Sequence, residues 1–236
     1  MRRLIFALFL LSAPVHAQDV ELELVLLADA SGSIDSAEIT FQRQGYAEAI
    51  TDPRVLKAIT DTSLGNIAVT YVEWASAGEE QVVVPWTIID SAATAEAFAK
   101  ALFLPPRTAF GSNAIGSALL TGMRLIEGND ITSWRKVIDF SGDSARNWSG
   151  PSIEDARAEV LAAGITINGL PILCRRCNGR PSTADLEKIY AEQIIGGHGA
   201  FVVTAENDES FADAVRRKLI LEISGQMPAQ KLAQMK

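Results

Sequence analysis

Apolar, strand-like runs alternate with helical patterns along most of the chain, and this alternation constrains the fold more than any other feature. The first run, VELELVLLADA at residues 20–30, alternates in polarity and then becomes continuously apolar, which is typical of a central strand covered on both faces. A helical pattern follows over residues 36–60, with an interruption predicted near Asp52-Pro53. Two further runs, NIAVTYVEWA and EQVVVPWTII, are separated by a short Ser-Ala-Gly turn and predict a hairpin.

The second half of the chain continues the alternation of strands and helices. Strands are predicted at RKVIDFSG, ITINGLPIL and AFVVTA, and helices at residues 91–102, 113–127, 152–164, 183–195 and 208–223. This order predicts an α/β fold with a doubly wound, mostly parallel central sheet, one antiparallel edge strand and helices on both faces. In such sheets, ligands bind beyond the carboxyl ends of the strands.

The first 17 residues, MRRLIFALFLLSAPVHA, have the layout of a secretory signal peptide. Two arginines precede a short apolar stretch, and small residues follow up to Ala17. We therefore expect a periplasmic or secreted protein whose mature chain begins at Gln18; an N-terminal membrane anchor is the alternative. Residues 18–225 are predicted to form one domain, and residues 226–236 a polar tail. No later run has the roughly 20 apolar residues that a transmembrane helix needs.

The chain is acidic, and this limits the classes of partner. It carries 21 Lys and Arg against 29 Asp and Glu, a net charge of −8. Without residues 1–17, which contain two arginines and no acids, the net charge is −10. Such a charge disfavours nucleic acid and anionic membrane surfaces, which attract basic proteins. It is compatible with binding a cation.

Two cysteines, Cys174 and Cys177, lie close together in the segment CRRCNGRP. In an oxidising compartment, such a pair is expected to form a local disulfide. A redox-active pair is the alternative, but such pairs usually lie between a strand and a helix N-terminus, and this one falls in a Gly/Pro/Arg-rich connection. A zinc site is disfavoured because His198 is the only histidine after residue 17.

An unusual run of oxygen-bearing side chains follows the first strand. Asp35, with Glu38 three residues later, matches a helix capping box. Helix capping does not account for Asp29, Ser31 and Ser33, which alternate before the cap at the predicted carboxyl end of a central strand. Their position favours a binding role over a simple turn.

The pattern Asp29-x-Ser31-x-Ser33 after a central strand resembles the metal-ion-dependent adhesion site of von Willebrand factor A domains. The segments VIDFSGD, TINGLPI, GGHGAFVVTA and FADAVRRKLILEI resemble the DUF1194 family, exported bacterial proteins of uncharacterised function. The resemblance extends along almost all of the chain after residue 17. It implies that Ser31 and Ser33 bind a metal ion directly and that Asp29 does so directly or through water. It also implies that a second loop supplies a threonine and a third loop an aspartate.

The second and third loops offer candidates for these remaining ligands. Asp143, in FSGDS, follows a strand and fits the aspartate, whereas Asp139 lies inside the strand and is predicted to be a structural carboxylate paired by neighbouring groups. In GSNAIGSAL, Asn113 stands where the family has threonine; Ser112 substitutes if the loop slips by one residue, and Thr108 is a more distant option. Asn113 is either a metal ligand, since an amide oxygen suits hard cations, or the cap of the following helix.

The resemblance and the residues together predict a non-enzymatic module that binds a protein partner through a divalent ion. Mg²⁺ is the expected ion, with Mn²⁺ or Ca²⁺ as alternatives, because the ligands are all oxygen atoms. A partner Asp or Glu carboxylate would complete the coordination, and Trp148 is predicted to border this face. The alternatives are a metal-dependent hydrolase, although no catalytic set around His198 is evident, and a thiol–disulfide protein using Cys174 and Cys177.

Overall fold

The computed structural model describes residues 18–173, 185–205 and 208–226. Five strands form one sheet in the order β3-β2-β1-β4-β5; they are β1 (Gln18–Asp29), β2 (Ile67–Trp74), β3 (Gln81–Ile89), β4 (Ile131–Gly142) and β5 (Thr166–Pro171). The β1 strand runs parallel to β2 and β4, and β5 runs parallel to β4. The edge strand β3 is antiparallel to β2, as the hairpin pattern predicted. The predicted α/β fold is confirmed.

Seven α-helices in the described residues surround this sheet. They are α1 (Ser36–Thr51), α2 (Pro53–Thr60), α3 (Ala92–Ala101), α4 (Ile115–Glu127), α5 (Ile153–Ala162), α6 (Leu186–Ile189) and α7 (Asp208–Ser224), and α6 continues into a π-helical turn at Tyr190–Ile194. Local sequence signals set two of the helix ends. Asp35 and Glu38 form the expected capping box at the start of α1. Asp52 ends α1 and accepts a hydrogen bond from the Arg54 N–H at the start of α2.

The central strand β1 is apolar because it packs on both faces. Leu22, Leu24 and Leu26 point to one core, which α1, α2, α3 and α7 cover. Val25 and Leu27 point to the opposite core, which α4, α5, α6 and the π-helical turn cover. Helices therefore lie on both faces, and the carboxyl ends of the strands are left for the loops that follow them.

The predicted strand at residues 200–205 is the main difference in the fold. This segment makes isolated parallel bridges from Val202 to Gly169 and from Ala205 to Ile172, but it forms no continuous strand. The Phe201 N–H donates to the side-chain Oδ1 of Asn168 at 3.1 Å, so a side chain takes the place of a backbone acceptor there.

Several predictions fall outside the described residues. The signal peptide at residues 1–17, the Cys174–Cys177 disulfide and residues 227–236 of the tail are in this group, and they stay predictions. Among the helices of the described ranges, none combines the length and apolarity needed to cross a membrane.

Candidate metal centre

Two of the predicted ligands lie at the carboxyl ends of adjacent parallel strands. Asp29 is the last residue of β1, and Asp143 directly follows β4. In the β1–β4 register, Leu27 is opposite Phe140, so the two strand ends are level. The chain leaves β1 to form β2 on one side, while β4 lies on the other side. Such a reversal of strand order is where open α/β sheets place their binding sites.

Hydrogen bonds join four of the six predicted ligands. The Ser31 N–H donates to Oδ1 of Asp29 at 2.8 Å, the hydroxyls of Ser31 and Ser33 are 3.3 Å apart, and the Ser33 hydroxyl donates to Oδ1 of Asp143 at 3.3 Å. Asp29 and Ser31 are fully buried, whereas Ser33 and Asp143 are half-buried. We refer to these four residues as the metal centre.

The metal centre holds two carboxylates with no positive side chain to balance them. Oδ2 of Asp29 is buried and has no hydrogen-bond partner, and in the described ranges no Lys or Arg forms an ion pair with Asp29 or Asp143. Burial, and secondly the charge of Asp143, raise the pKa of Asp29 to about 7; burial also raises the pKa of Asp143. A buried charge without a partner is unfavourable, and either a proton, which the raised pKa values favour, or a cation relieves it.

Close packing fixes Asp29 against the third loop. A Cβ at Gly142 would lie 2.9 Å from Oδ2 of Asp29 and 3.1 Å from the Tyr190 hydroxyl, so the approach of these groups requires glycine. The Tyr190 hydroxyl donates to the Gly142 carbonyl at 3.0 Å. From α1, the side-chain amide of Gln42 donates to the Asp29 carbonyl at 3.0 Å. Gln42 therefore anchors the backbone of Asp29, and Tyr190 anchors the backbone of Gly142, against which the Asp29 carboxylate packs.

Asn113, the first candidate from the second loop, does not cap α4. Ala114 is at the cap position, and no side chain caps the helix there. Within the first turn, the Gly116 N–H instead donates to Oδ1 of Asn147 at 3.2 Å. The capping alternative for Asn113 is therefore wrong. Its side chain is buried, and the amide nitrogen has no hydrogen-bond partner, so the ligand role is left as a prediction.

The other second-loop candidates, Ser112 and Thr108, are both exposed. The Ser112 N–H donates to the Ser76 hydroxyl at 2.8 Å. No hydrogen bond links the side chains of Ser112 or Asn113 to the metal centre in the described structure. The loop itself is attached to it, because the Gly32 N–H donates to the Gly111 carbonyl at 2.7 Å.

Arg107 is a residue near the metal centre that the sequence did not single out. Its guanidinium donates to the Ile34 carbonyl at 2.7 Å and to the carbonyls of Ala30 and Ser31. It thereby fixes the backbone of the loop that carries the serine ligands. Arginine is not a metal-ligand type, and its segment, PPRTAF, resembled an ordinary Pro-rich loop; no local pattern marked this contact.

The donor set suits a hard divalent cation. Two carboxylates and two hydroxyls offer only oxygen atoms, which Mg²⁺, Mn²⁺ and Ca²⁺ prefer. The orphaned Oδ2 of Asp29 is the kind of buried acceptor that a cation would satisfy. In the described parts of the chain, no three His, Cys, Asp or Glu side chains form a cluster that could hold a metal ion, so a cation here would also need the serine hydroxyls as ligands.

Three solved structures illustrate the similarity of the fold to known proteins. The pilus adhesin SpaC from Lactobacillus rhamnosus GG aligns with a TM-score of 0.62 and 14% identity over 87% of this chain and 31% of its own. Proximal thread matrix protein 1 from the mussel byssus, in a form described as having a zinc-occupied MIDAS motif, aligns with a TM-score of 0.61 and 15% identity over 88% and 49%. A von Willebrand factor type A protein from Catenulispora acidiphila gives 0.54 and 14% over 86% and 43%.

These likenesses show the von Willebrand A-like fold. The chain spans between about a third and a half of the length of the three proteins. No curated protein matches it in sequence. The model of a family described as "Protein of unknown function (DUF1194)" matches residues 19–227. Because this match covers nearly all of the chain, the protein belongs to the DUF1194 family.

Proposed function

We propose that this protein is an exported, non-enzymatic binding module that engages a partner protein through a divalent ion. The observation that carries the proposal is the pair of carboxylates Asp29 and Asp143 at adjacent strand ends. Among the described residues they have no cationic partner, and Oδ2 of Asp29 is buried without a hydrogen bond. An ion at this place would remove the unfavourable burial of negative charge.

The buried and the half-buried residues of the metal centre would hold the ion from different sides. Asp29 and Ser31, fully buried, would form the floor of the site, while Ser33 and Asp143, half-buried, would hold the ion at its mouth. The ion supplies positive charge, which attracts a carboxylate from outside. The serine hydroxyls are neutral, so they neutralise less of that charge than carboxylates would. Mg²⁺ is the expected ion, since it commonly keeps coordination positions for water or an external oxygen.

Two further features support an exported binding protein. Residues 1–17 have the composition of a secretory signal. Among the proteins of similar fold, one is named a pilus adhesin and another a matrix protein of the byssus.

The hydrolase alternative has less support from the geometry. In the described residues the only histidine is His198, whose carbonyl accepts a hydrogen bond from the Thr166 hydroxyl at 3.4 Å. Thr166 begins β5, so His198 lies at the end of the sheet opposite to Asp29. No histidine of the described residues is therefore placed to act as a general base at the metal centre.

The test is the thermal stability of the purified protein with Mg²⁺, Mn²⁺ or Ca²⁺ against EDTA. Binding to the folded state alone raises stability by RT ln(1 + [L]/Kd), so the melting temperature should rise with ion concentration. Asp29→Asn should abolish the rise. Asp130→Asn is the matched control, since Asp130 is exposed just before β4, at the opposite end of the sheet. A wild-type protein that shows no shift with any of the three ions at millimolar concentration would rule out the ion-mediated mechanism.

A further inference from the structure

Two large aromatic side chains are exposed on the loops that border the metal centre. The side chains of Phe110 and Trp148 are 55% and 65% exposed. Phe110 lies two residues before Ser112, and Trp148 lies five residues after Asp143. Exposed aromatic surface beside a polar site is characteristic of interaction surfaces rather than of an ordinary rim.

The backbones that carry these rings are fixed by hydrogen bonds. The Trp148 N–H donates to the Asn113 carbonyl at 2.8 Å, which joins the third loop to the second. The next residue, Ser149, accepts a hydrogen bond at its hydroxyl from the Ala77 N–H at 3.2 Å. On the other side, Gly111 is bonded to the loop of the metal centre through the Gly32 N–H. A surface built on anchored loops loses little conformational freedom when a partner binds.

An arginine accompanies each ring. The guanidinium carbon of Arg107 lies 4.7 Å from the centroid of the Phe110 ring, and that of Arg146 lies 5.6 Å from the ring of Trp148. The two arginines differ in what else they contact. The Arg107 guanidinium is committed to backbone carbonyls, whereas the exposed side chain of Arg146 has no hydrogen-bond or ion-pair partner in the described residues. An acidic protein thus presents an unpaired positive group three residues from Asp143.

We propose that the partner is a protein segment with two acidic side chains and one apolar side chain. One carboxylate completes the coordination of the ion, the second pairs with Arg146, and the apolar side chain packs on the exposed rings of Phe110 and Trp148. Charge complementarity identifies the segment as acidic, and Trp and Arg are the residue types that most often dominate binding energy at interfaces. This inference rests on the proposed function, because the first carboxylate needs the ion.

Synthetic peptides provide the test, with binding followed by fluorescence anisotropy in Mg²⁺ and in EDTA. Four dye-labelled peptides share a Gly/Ser background with one Asp. The first has no further change, the second adds another Asp two to four residues away, the third adds a Leu, and the fourth adds both. The peptide with both additions should bind best to the wild type. Arg146→Gln should remove the advantage of the second Asp, about fivefold for a pair near the surface. Trp148→Ala should remove the advantage of the Leu, about tenfold.

Matched controls and separate readouts keep this inference distinguishable from the proposed function. Arg217→Gln and Trp134→Ala change an exposed arginine and an exposed tryptophan far from the metal centre and should leave peptide binding unchanged. If the ions raise thermal stability but Arg146→Gln and Trp148→Ala bind all peptides like the wild type, this inference is wrong and the ion site stands. If no ion raises thermal stability, the proposed function is wrong, and this inference is wrong with it.

Two further results would also overturn the inference. One is the absence of Mg²⁺-dependent binding by every peptide. The other is a Mg²⁺-dependent dimer in sedimentation experiments that Trp148→Ala abolishes, because the occupant of the surface would then be a second copy of this chain.

Discussion

Strand β4 contributes an acid to each of two buried carboxylate clusters, and the two clusters are balanced differently. Asp143, just past its end, faces Asp29 in the metal centre. Asp139, four residues earlier, lies in what we call the lysine cluster, formed by Asp139, Lys218 and Glu222. Nζ of Lys218 is 2.7 Å from Oδ2 of Asp139 and 2.5 Å from Oε1 of Glu222, and these side chains are almost completely buried.

The difference lies in where the positive charge comes from. Helix α7 supplies Lys218 to the lysine cluster, so its two acids share one positive charge from within the chain, and the ion pairs tie α7 to the sheet. The metal centre receives no such side chain from the residues that the structure describes, and it is open at Ser33 and Asp143. A buried carboxylate is stabilised by a counter-charge in either place; α7 supplies a lysine in the closed place, and in the open one the function that we propose assigns this role to a bound ion.

Removing the internal cation should give the largest effect. Lys218→Met would leave two buried carboxylates without a counter-charge, and breaking a buried ion pair in this way costs about 3–5 kcal/mol of unfolding free energy. Urea denaturation measures the loss. Lys100→Met is the control, because Lys100 forms only an exposed ion pair with Glu96 and should cost about 0.5 kcal/mol or less. Equal losses of unfolding free energy in the two variants would show that Lys218 does not supply the counter-charge of the lysine cluster.

Neutralising one acid in each cluster should give opposite results. Asp139→Asn removes a partner of Lys218 and should destabilise the protein with or without Mg²⁺. Asp29→Asn keeps the acceptor for the Ser31 N–H and removes charge repulsion with Asp143, so the protein in EDTA should be at least as stable as the wild type. In Mg²⁺ at 100 times Kd, the variant should lack the gain of about 2.7 kcal/mol that binding provides. Loss of stability for Asp29→Asn in EDTA would contradict this contrast.

For the lysine cluster, the sequence predicted the acid on the strand but not its partner on the helix. Alternation predicted the strand that carries Asp139, and burial predicted that its carboxylate would be paired. Its partner, Lys218, is 79 residues away on α7, and periodicity carries no information about which helix residue meets which strand residue. Arg107 was missed for the same reason, since its contacts depend on the packing of two loops. The segment at 200–205 was predicted as a strand from its apolar run, whereas in the structure the side chain of Asn168 accepts from the Phe201 N–H and the segment makes only isolated bridges.

The lysine cluster should also make stability depend on pH. Burial, with the nearby charge of Asp139, raises the pKa of Glu222 from 4.5 to about 7 against the opposing effect of Lys218. Between these values the folded state holds a proton that the unfolded chain has released, so stability should fall as the pH rises from about 4.5 to about 7. The slope for one proton is at most about 1.4 kcal/mol per pH unit.

Glu222→Gln keeps an acceptor for Lys218 and should reduce that slope. Asp139 also lies beside Glu222, and burial raises its pKa as well, but Asp139 is the same in the wild type and in this variant. Arg135, which donates to the Glu222 backbone carbonyl, and Tyr46, whose pKa burial raises well above 10, do not titrate in this pH window. Urea denaturation at several pH values in EDTA, compared between the wild type and the variant, isolates the contribution of Glu222. Parallel curves would show that Glu222 is not the group that takes up the proton.

The smallest expected effect concerns the second loop of the metal centre. Asn113 does not cap α4, and its amide nitrogen is buried without a partner, so Asn113→Thr loses no hydrogen bond of that side chain and places a hydroxyl at the position where the family resemblance expects one. We expect Mg²⁺ to bind more tightly, with Kd lowered up to about tenfold, which is about 1.4 kcal/mol. Ion titrations followed by thermal shift measure the change.

Ser112→Ala is the matched control. Ser112 is exposed, and the hydrogen bond from its backbone N–H to Ser76 persists in alanine, so Kd should not change. A weaker site in Ser112→Ala together with an unchanged one in Asn113→Thr would move the second-loop ligand to Ser112, and the metal centre would then be completed by an exposed hydroxyl instead of a buried side chain.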